Sequence, residues 1–333
     1  MQRIVSPKGG YALPFLLLYS MKPLHFAPLQ GYTQHAYRSI HARNVGGVSY
    51  YYTPFIRMEK GAVRRKDIVD ILPEHNEGVP LIPQIIASDA DEFDKLCDII
   101  QETGYHRIDL NMGCPAPMQT KLARGSAMLS SPELVEEIAN RMKTRSDLRF
   151  SVKMRLGWKE SDEWRQILPI LHDIPLEHIT LHPRIGIQQY KGEVNMEMFK
   201  MFYEACQHPL IYNGDIQTLD DLARMEEEYP RLTGIMMGRG LLANPVLSAE
   251  YASGTAWPWA KRRDTVLRMH DEWLQFCREK YVSDSQVLLQ VKPFWEYQNA
   301  WIGKKVYKHL MKSGSFRNYM AAVHDFSALK EEE

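Results

Sequence analysis

Eight short runs of apolar, β-branched or aromatic residues recur at even intervals along the chain. They are His25–Leu29, Val48–Ile56, Pro80–Ile86, Arg107–Gly113, Phe150–Leu156, His178–Pro183, Leu210–Ile216 and Gly234–Gly238. Most are apolar almost throughout, the pattern of parallel strands covered on both faces. Amphipathic helical segments lie between them. Asp89 opens one, with Phe93, Leu96, Cys97 and Ile100 on one face. Ser131-Pro132-Glu133 opens another, aligning Leu134, Ile138 and Met142, and Asp220–Glu228 gives a third. Eight such units in about 230 residues match the count and size of an α/β (β/α)8 TIM barrel. An open doubly wound sheet competes, but no GxGxxG follows the first strand.

The pattern changes after Leu241. From Asp264 onward only helical periodicity remains, through Val266, Met269, Trp273, Phe276 and Cys277 and then Val287, Leu288, Val291, Phe294 and Trp295. The Pro- and Trp-bearing stretch at Trp257–Trp259 makes a junction. The expected organisation is a barrel over 21–250 and a smaller all-helical C-terminal domain over 260–328. Residues 1–20 imitate a secretory signal, but Pro14 breaks their apolar run, so they are expected to be an extension outside the fold. Glu331 to Glu333 read as a frayed acidic tail.

Hydrophobic residues make up 44% and charged residues 25%, which excludes a disordered chain. No apolar run reaches the ~18 residues of a membrane span. The four cysteines are scattered without a CxxC pair, so a reducing, cytoplasmic setting and no metal site are expected. The 41 basic and 41 acidic side chains cancel, which argues against a protein that coats nucleic acid by bulk attraction.

In a barrel of this kind chemistry sits at the C-terminal ends of the strands. Polar groups end seven of the eight runs: Gln30, Gln84, Asn111 with Cys114, Lys153 with Arg155, His182 with Arg184, Asn213 to Asp215, and Gly238 with Arg239. The last two ends are glycine-rich, and with Arg239 they suit a phosphate. Lys153 could be a fixed cation beside a developing anion, a Schiff-base lysine or a rim salt-bridge partner. Gln84 and Asn111 both donate and accept, which suits a heterocycle with amide-like edges. Cys114 lies in a turn between Gly113 and Pro115, presented to the cleft, whereas Cys97, Cys206 and Cys277 sit in helical patterns.

The strings APLQGYT (27–33), PLIPQI (80–85), DLNMGCP (109–115), SVKMRLGW (151–158), TLHPRIGIQQYKGE (180–193), YNGDI (212–216) and MMGRGLLANP (236–245) occur in that order. Together they resemble the FMN-dependent tRNA-dihydrouridine synthase family, over nearly all of residues 25–245. The resemblance implies that Pro28, Leu29, Gln30, Gln84, Lys153 and His182 hold the flavin. It implies that Asn213, Gly214, Asp215, Gly238 and Arg239 bind its phosphate. Cys114 would be the proton donor and Asn111 would orient the target uracil. NADPH would be the reductant and the D-loop of tRNA the substrate. The basic residues Lys121, Arg124, Arg155 and Arg184 are expected at tRNA phosphates. Two departures stand out: Leu29 replaces the usual Met, and Pro183 sits where Gly or Ala is usual.

A flavin barrel acting on a free pyrimidine and a non-catalytic RNA-binding relative are the alternatives. The helical domain argues against the first, and Cys114 with Lys153 against the second. The zero net charge also divides unevenly. Residues 261–318 carry 12 basic and 6 acidic side chains, including Lys292, Lys304, Lys305, Lys308, Lys312 and Arg317. A monomer that binds one folded RNA through a local basic face is expected.

Overall fold

The computed structural model describes residues 21–329; the expectations for residues 1–20 and the acidic tail lie outside the described residues. The barrel strands are β1 Leu24–Phe26, β2 Tyr50–Tyr52, β3 in two halves Leu81–Ile82 and Gln84–Ile85, β4 Arg107–Met112, β5 Arg149–Gly157, β6 Leu176–Ile185, β7 Leu210–Asn213 and β8 Leu232–Met237. Every neighbouring pair in this sheet is parallel. The two halves of β3 lie at opposite ends of the ladder order. The first half pairs with β2 and the second with β4, so the ladder closes on itself at Pro83. Proline has no N–H to give a ladder, but the Pro83 carbonyl still accepts from Asp109 N at 2.9 Å.

Between the strands run α1 His35–Asn44, α2 Arg65–Ile71, α3 Ala90–Glu102, α4 Pro132–Thr144, α5 Trp164–His172, α6 Met196–Ala205 and α7 Leu219–Glu228, with α8 Arg239–Ala243 after β8. Asp89 caps α3 through Glu92 N, and Phe93, Leu96, Cys97 and Ile100 are its buried face, as the periodicity requires. Pro132 opens α4, but Ser131 makes no side-chain cap. The buried face of α4 is Val135, Ile138, Ala139 and Met142, leaving Leu134 half-buried. One unforeseen element is an antiparallel pair, Met58–Glu59 with Ala62–Val63, between β2 and α2.

The strands alternate more than their apolar look suggests. Outward residues such as Ile108, Leu110, Val152, Met154, Ile179 and Leu181 join the main core under the helices. Inward residues on β1, β2, β3, β7 and β8 form a separate apolar cluster of Ala27, Tyr52, Ile82, Ile211 and Met236. On β4, β5 and β6 the alternate positions are polar and buried: Asp109, Asn111, Ser151, Arg155, His178, Thr180 and His182.

Four longer helices follow: α9 Trp259–Lys280, α10 Asp284–Val291, α11 Lys304–Lys312 and α12 Phe316–Ser327. Helix α9 starts five residues before the expected Asp264, at the junction itself. This region packs on α1, where Tyr37 meets Trp273 and Phe294 with ring centroids 6.3 and 6.2 Å apart. Trp301 Nε1 donates to Ala243 O at 3.0 Å, tying it to the end of the barrel. Among the described residues no helix is long and apolar enough to cross a membrane.

Buried histidines add a pH-sensitive element. His41 lies between Tyr51 Oη (2.8 Å) and Pro245 O (2.8 Å). His25, Tyr52 and His178 form a chain with contacts of 2.9 and 3.0 Å. Burial pulls His25 down to about 3 and His41 and His178 down to about 4. In the unfolded chain these groups titrate near 6.5, so between about pH 6.5 and 4 the unfolded state binds more protons. Stability is therefore complete above pH 6.5 and falls as the pH drops, by about 1.4 kcal/mol per pH unit for each histidine. Urea midpoints measured from pH 7.5 to 4.5 check this; a flat profile between pH 6.5 and 5 would exclude buried neutral imidazoles.

Candidate active site

The C-terminal strand ends meet at one rim, where two adjoining cavities share Pro28, Leu29, Lys153, His182 and Tyr190. The first opens toward β7 and β8. Asn213, Gly214, Asp215, Gly238 and Arg239 line it, as the motifs led us to expect. Gly240 closes this corner: a Cβ there would lie 2.0 Å from Ile216 O. At the start of α8 the N–H groups of Arg239 and Gly240 have no intrahelical acceptor. Asn213 Nδ2 donates to Met236 O at 2.8 Å, locking β7 to β8.

The Asp215 side chain is engaged by two guanidinium groups. Its carboxylate accepts from Arg239 at 2.8 Å and from both terminal nitrogens of Arg184, at 3.1 and 2.5 Å. These contacts orient the Arg239 guanidinium at the corner that Asp215 also lines. Arg184 Nη1 also lies 3.0 Å from His182 Nε2. Guanidinium only donates, so Nε2 accepts and the proton of the neutral ring sits on Nδ1. Burial, reinforced by Arg155, Lys153, Arg184 and Arg239, holds His182 well below the usual histidine range.

The second cavity holds Cys114, Asn111, Gln84 and Gln30. Ser151 Oγ donates to Asp109 Oδ1 (2.6 Å), Gln84 Nε2 to Asp109 Oδ2 (2.7 Å), and Asn111 Nδ2 to Gln84 Oε1 (2.7 Å). Asn111 Oδ1 then accepts from Gly113 N (3.0 Å) and Cys114 N (2.8 Å). From the other side, Ser126 N and Oγ each donate to Cys114 O at 3.0 Å. Gly125, at φ +63°, makes that approach possible, since a Cβ there would meet Cys114 O at 2.5 Å. Burial pushes the Cys114 thiol up, outweighing the Ala116 backbone bond and the charges of Arg155, Lys153 and Arg57. It therefore stays a thiol at neutral pH.

Lys153 forms no ion pair or side-chain hydrogen bond among the described residues. Burial, with Arg155 beside it, pulls its ammonium down to about 8, against Asp109 and Cys114. Tyr190, which the strand-end reading passed over, is half exposed and lies beneath two guanidinium groups. Arg155 is 5.3 Å and Arg239 4.9 Å from its ring centroid. Its loop position carries no periodic signal that would have singled it out. Asp109 and Ser151 were also missed, although strict alternation within 107–112 and 149–157 points to them.

Three of the basic residues expected at RNA phosphates turn inward. Arg155 is 1% exposed and donates to the carbonyls of Gly113, Ile185 and Gln189. Arg184 is held by Asp215 and by Gly192 O at 2.7 Å. Arg124 forms a buried ion pair with Glu92 of α3. Each is buried and engaged by neighbouring carbonyls or carboxylates, which leaves it turned away from the surface. Lys121 remains exposed, as do Lys304, Lys305, Lys308, Lys312 and Arg317, whereas Lys292 donates to Ser313 O. Gln30 also borders a larger cleft against the helical region, where Arg65, Lys66 and Lys280 lie. Pro183 gives no N–H, but its carbonyl accepts from Asn195 N at 2.7 Å, at the start of α6. Among the described residues no three His, Cys, Asp or Glu side chains gather as a metal site would require.

A family model described as dihydrouridine synthase matches residues 25–333. The tRNA-dihydrouridine synthase B of Pasteurella multocida is 32% identical over 230 residues, spanning 67% of this chain and 67% of that protein. The tRNA-dihydrouridine(16) synthase of Aquipseudomonas alcaligenes is 28% identical over 271 residues, spanning 76% of this chain and 83% of its own. Among solved structures, 2-naphthoyl-CoA reductase in complex with 2-naphthoyl-CoA superposes with a TM-score of 0.50 at 11% identity, covering 70% of this chain and 50% of that one. That likeness is one of fold.

The inward turn of Arg124 has a measurable consequence. Arg124→Ala leaves Glu92 buried without its cation and is expected to lower stability by about 3–5 kcal/mol. The salt dependence of RNA binding should not change. Denaturant titrations and binding isotherms at several salt concentrations test both; a stable variant with a shallower salt slope would return Arg124 to the RNA surface.

Proposed function

The chain belongs to the dihydrouridine synthase family, and from that premise we propose that it reduces a D-loop uridine of tRNA, using FMN recharged by NADPH. The observation that carries this reading is the protonated, backbone-anchored Cys114 thiol, opening on the same cavity as the unpartnered Lys153 ammonium.

The donor set fits FMN. The corner of Gly238, Arg239 and Gly240, with Gly214 and Asn213, offers N–H groups and a guanidinium to a phosphate. Pro28 and Leu29 supply an apolar wall continuous with both cavities. Gln84, Lys153 and the Nδ1–H of His182 give donors suited to a ring with carbonyl and nitrogen edges. Bound and reduced, FMN supplies a hydride for C6 of the uracil.

The protein's own residues do the rest. Lys153 places a fixed positive charge where negative charge develops, in a site with few competing dipoles. Its lack of an ion-pair partner disfavours the rim salt bridge considered above. Cys114 gives its proton to C5, a general-acid step worth ~10²–10⁴-fold. Asn111, anchored through Gln84, can turn an amide edge toward the uracil. The base leaves its stack to enter the cavity, which costs a few kcal/mol. Exposed lysines of the helical module, read here as the tRNA-binding domain, meet phosphates and make affinity salt-dependent.

The purified protein should be yellow, and NADPH with tRNA should yield dihydrouridine detectable by nucleoside mass spectrometry. Reduction of free uracil with tRNA untouched would instead favour the small-substrate alternative. Cys114→Ala should keep the flavin spectrum and lose ~10²–10⁴-fold in turnover; full activity on native tRNA would remove the proton donor. Because the thiol titrates above the ordinary cysteine value, the first group to limit the tRNA half-reaction as the pH rises should be Lys153, with the rate falling around a midpoint near pH 8. A midpoint below pH 7, or a decline near pH 8 that persists unchanged in Lys153→Met, would contradict this assignment.

A further inference from the structure

We propose that Asp109 is a positioning residue that fixes the polarity of the amide relay ending at Cys114. The proposal rests on the reading of Cys114 as the acid and adds what holds that acid in place. Asp109 is fully buried on β4 and forms no ion pair among the described residues. A buried carboxylate without a direct ion-pair partner costs stability. Its neighbours are Ser151 Oγ at 2.6 Å and Gln84 Nε2 at 2.7 Å.

An ionised carboxylate accepts and cannot donate. Gln84 must therefore offer its NH2 to Asp109 and its carbonyl to Asn111. Asn111 then spends a donor on Gln84 and keeps Oδ1 for Gly113 N and Cys114 N. Those backbone groups only donate. The relay thus runs from an acceptor-only end to a donor-only end, and one of the four orientations of its two amides satisfies both. The parallel register supports this, because Gln84, Asp109 and Ser151 are partners across β3, β4 and β5.

Replacing Asp109 by Asn removes the acceptor-only end. The relay can then reverse, turning the Asn111 NH2 against two N–H groups and releasing the backbone of Cys114. Adding Gln84→Glu to that variant restores the polarity, because the new carboxylate accepts from both the Asn at 109 and Asn111.

The experiment compares wild type, D109N and the double variant D109N/Q84E as holoenzymes. Hydrogen exchange of the peptide containing Gly113 and Cys114 is read by mass spectrometry. The two half-reactions, flavin reduction by NADPH and reduction of tRNA, are timed separately. In D109N, exchange should rise at least tenfold and the tRNA step slow at least tenfold, with flavin reduction within twofold. In the double variant, protection should return to within threefold of wild type. Exchange in D109N within twofold of wild type, or a double variant that exchanges as fast as D109N, overturns the proposal. So does equal slowing of both half-reactions, which a general structural role would produce. If D109N does not fold, the double variant decides alone: protection within threefold of wild type supports the relay, and faster exchange overturns it. Exchange needs no RNA, so a wild-type protein that makes no dihydrouridine would sink the functional reading while leaving this test intact.

Discussion

The rim owes its existence to closure of a parallel ladder. Eight strands running the same way must place all their C-terminal ends on one face, and only a closed ladder brings the first strands against the last. Here β3 closes it by pairing with β2 before Pro83 and with β4 after it. The outward residues packed beneath the helices provide the burial that holds the ring. Residues from 27 to 240 in sequence then share two small cavities. The same register lines up Asn111, Lys153 and Thr180 one row above Gln84, Asp109 and Ser151. The relay to Cys114 is a consequence of strand register as much as of side-chain chemistry.

Burial within that ring then decides protonation. Desolvation penalises whichever form carries charge, so it pulls Lys153 and His182 down and pushes Cys114 and Asp109 up. The interior is divided into an apolar sector on β1, β2, β3, β7 and β8 and a polar sector on β4, β5 and β6. Asp109 reaches about 6 and so remains ionised at neutral pH, held by Ser151 and Gln84 and drawn down by Lys153. Lys153, at about 8, keeps its proton but holds it less tightly than an exposed lysine. One environment thus sustains an uncharged acid and a cation a few residues apart in the fold.

The sequence made the barrel legible because outward faces are apolar at nearly every strand, and because Asp89 and Pro132 mark helix starts by side-chain chemistry. The lengths of β5 and β6 were underestimated, since charged residues at Arg149, Glu177 and Arg184 look like loop. Inside the ring, however, a buried arginine satisfies the same sequence pattern as an exposed one. Glu92 gave no sign that it would claim Arg124, being far from it in sequence. Strand ends could therefore be placed from sequence, whereas the partners of their side chains could not. Asp109 was overlooked for a related reason: within an apolar run it reads as an interruption, and only the register shows that it faces Gln84 and Ser151.

That distinction changes how the balanced charge should be understood. If Arg124, Arg155 and Arg184 faced RNA, the cationic surface would sit at the rim itself, directly over the reacting atoms. Their burial leaves Lys121 as the exposed one of the four cations expected there. Arg65, Lys66 and Lys280 lie along the cleft against the helical region, and the lysines of α11 lie beyond it. Charge attraction weakens over roughly 8 Å at physiological salt. A cation set back from the rim therefore contributes little to the electrostatics inside the cavities. The guanidinium groups near the cavity are engaged with Tyr190 and Asp215, so the positive charges that organise the rim are distinct from those exposed to solvent.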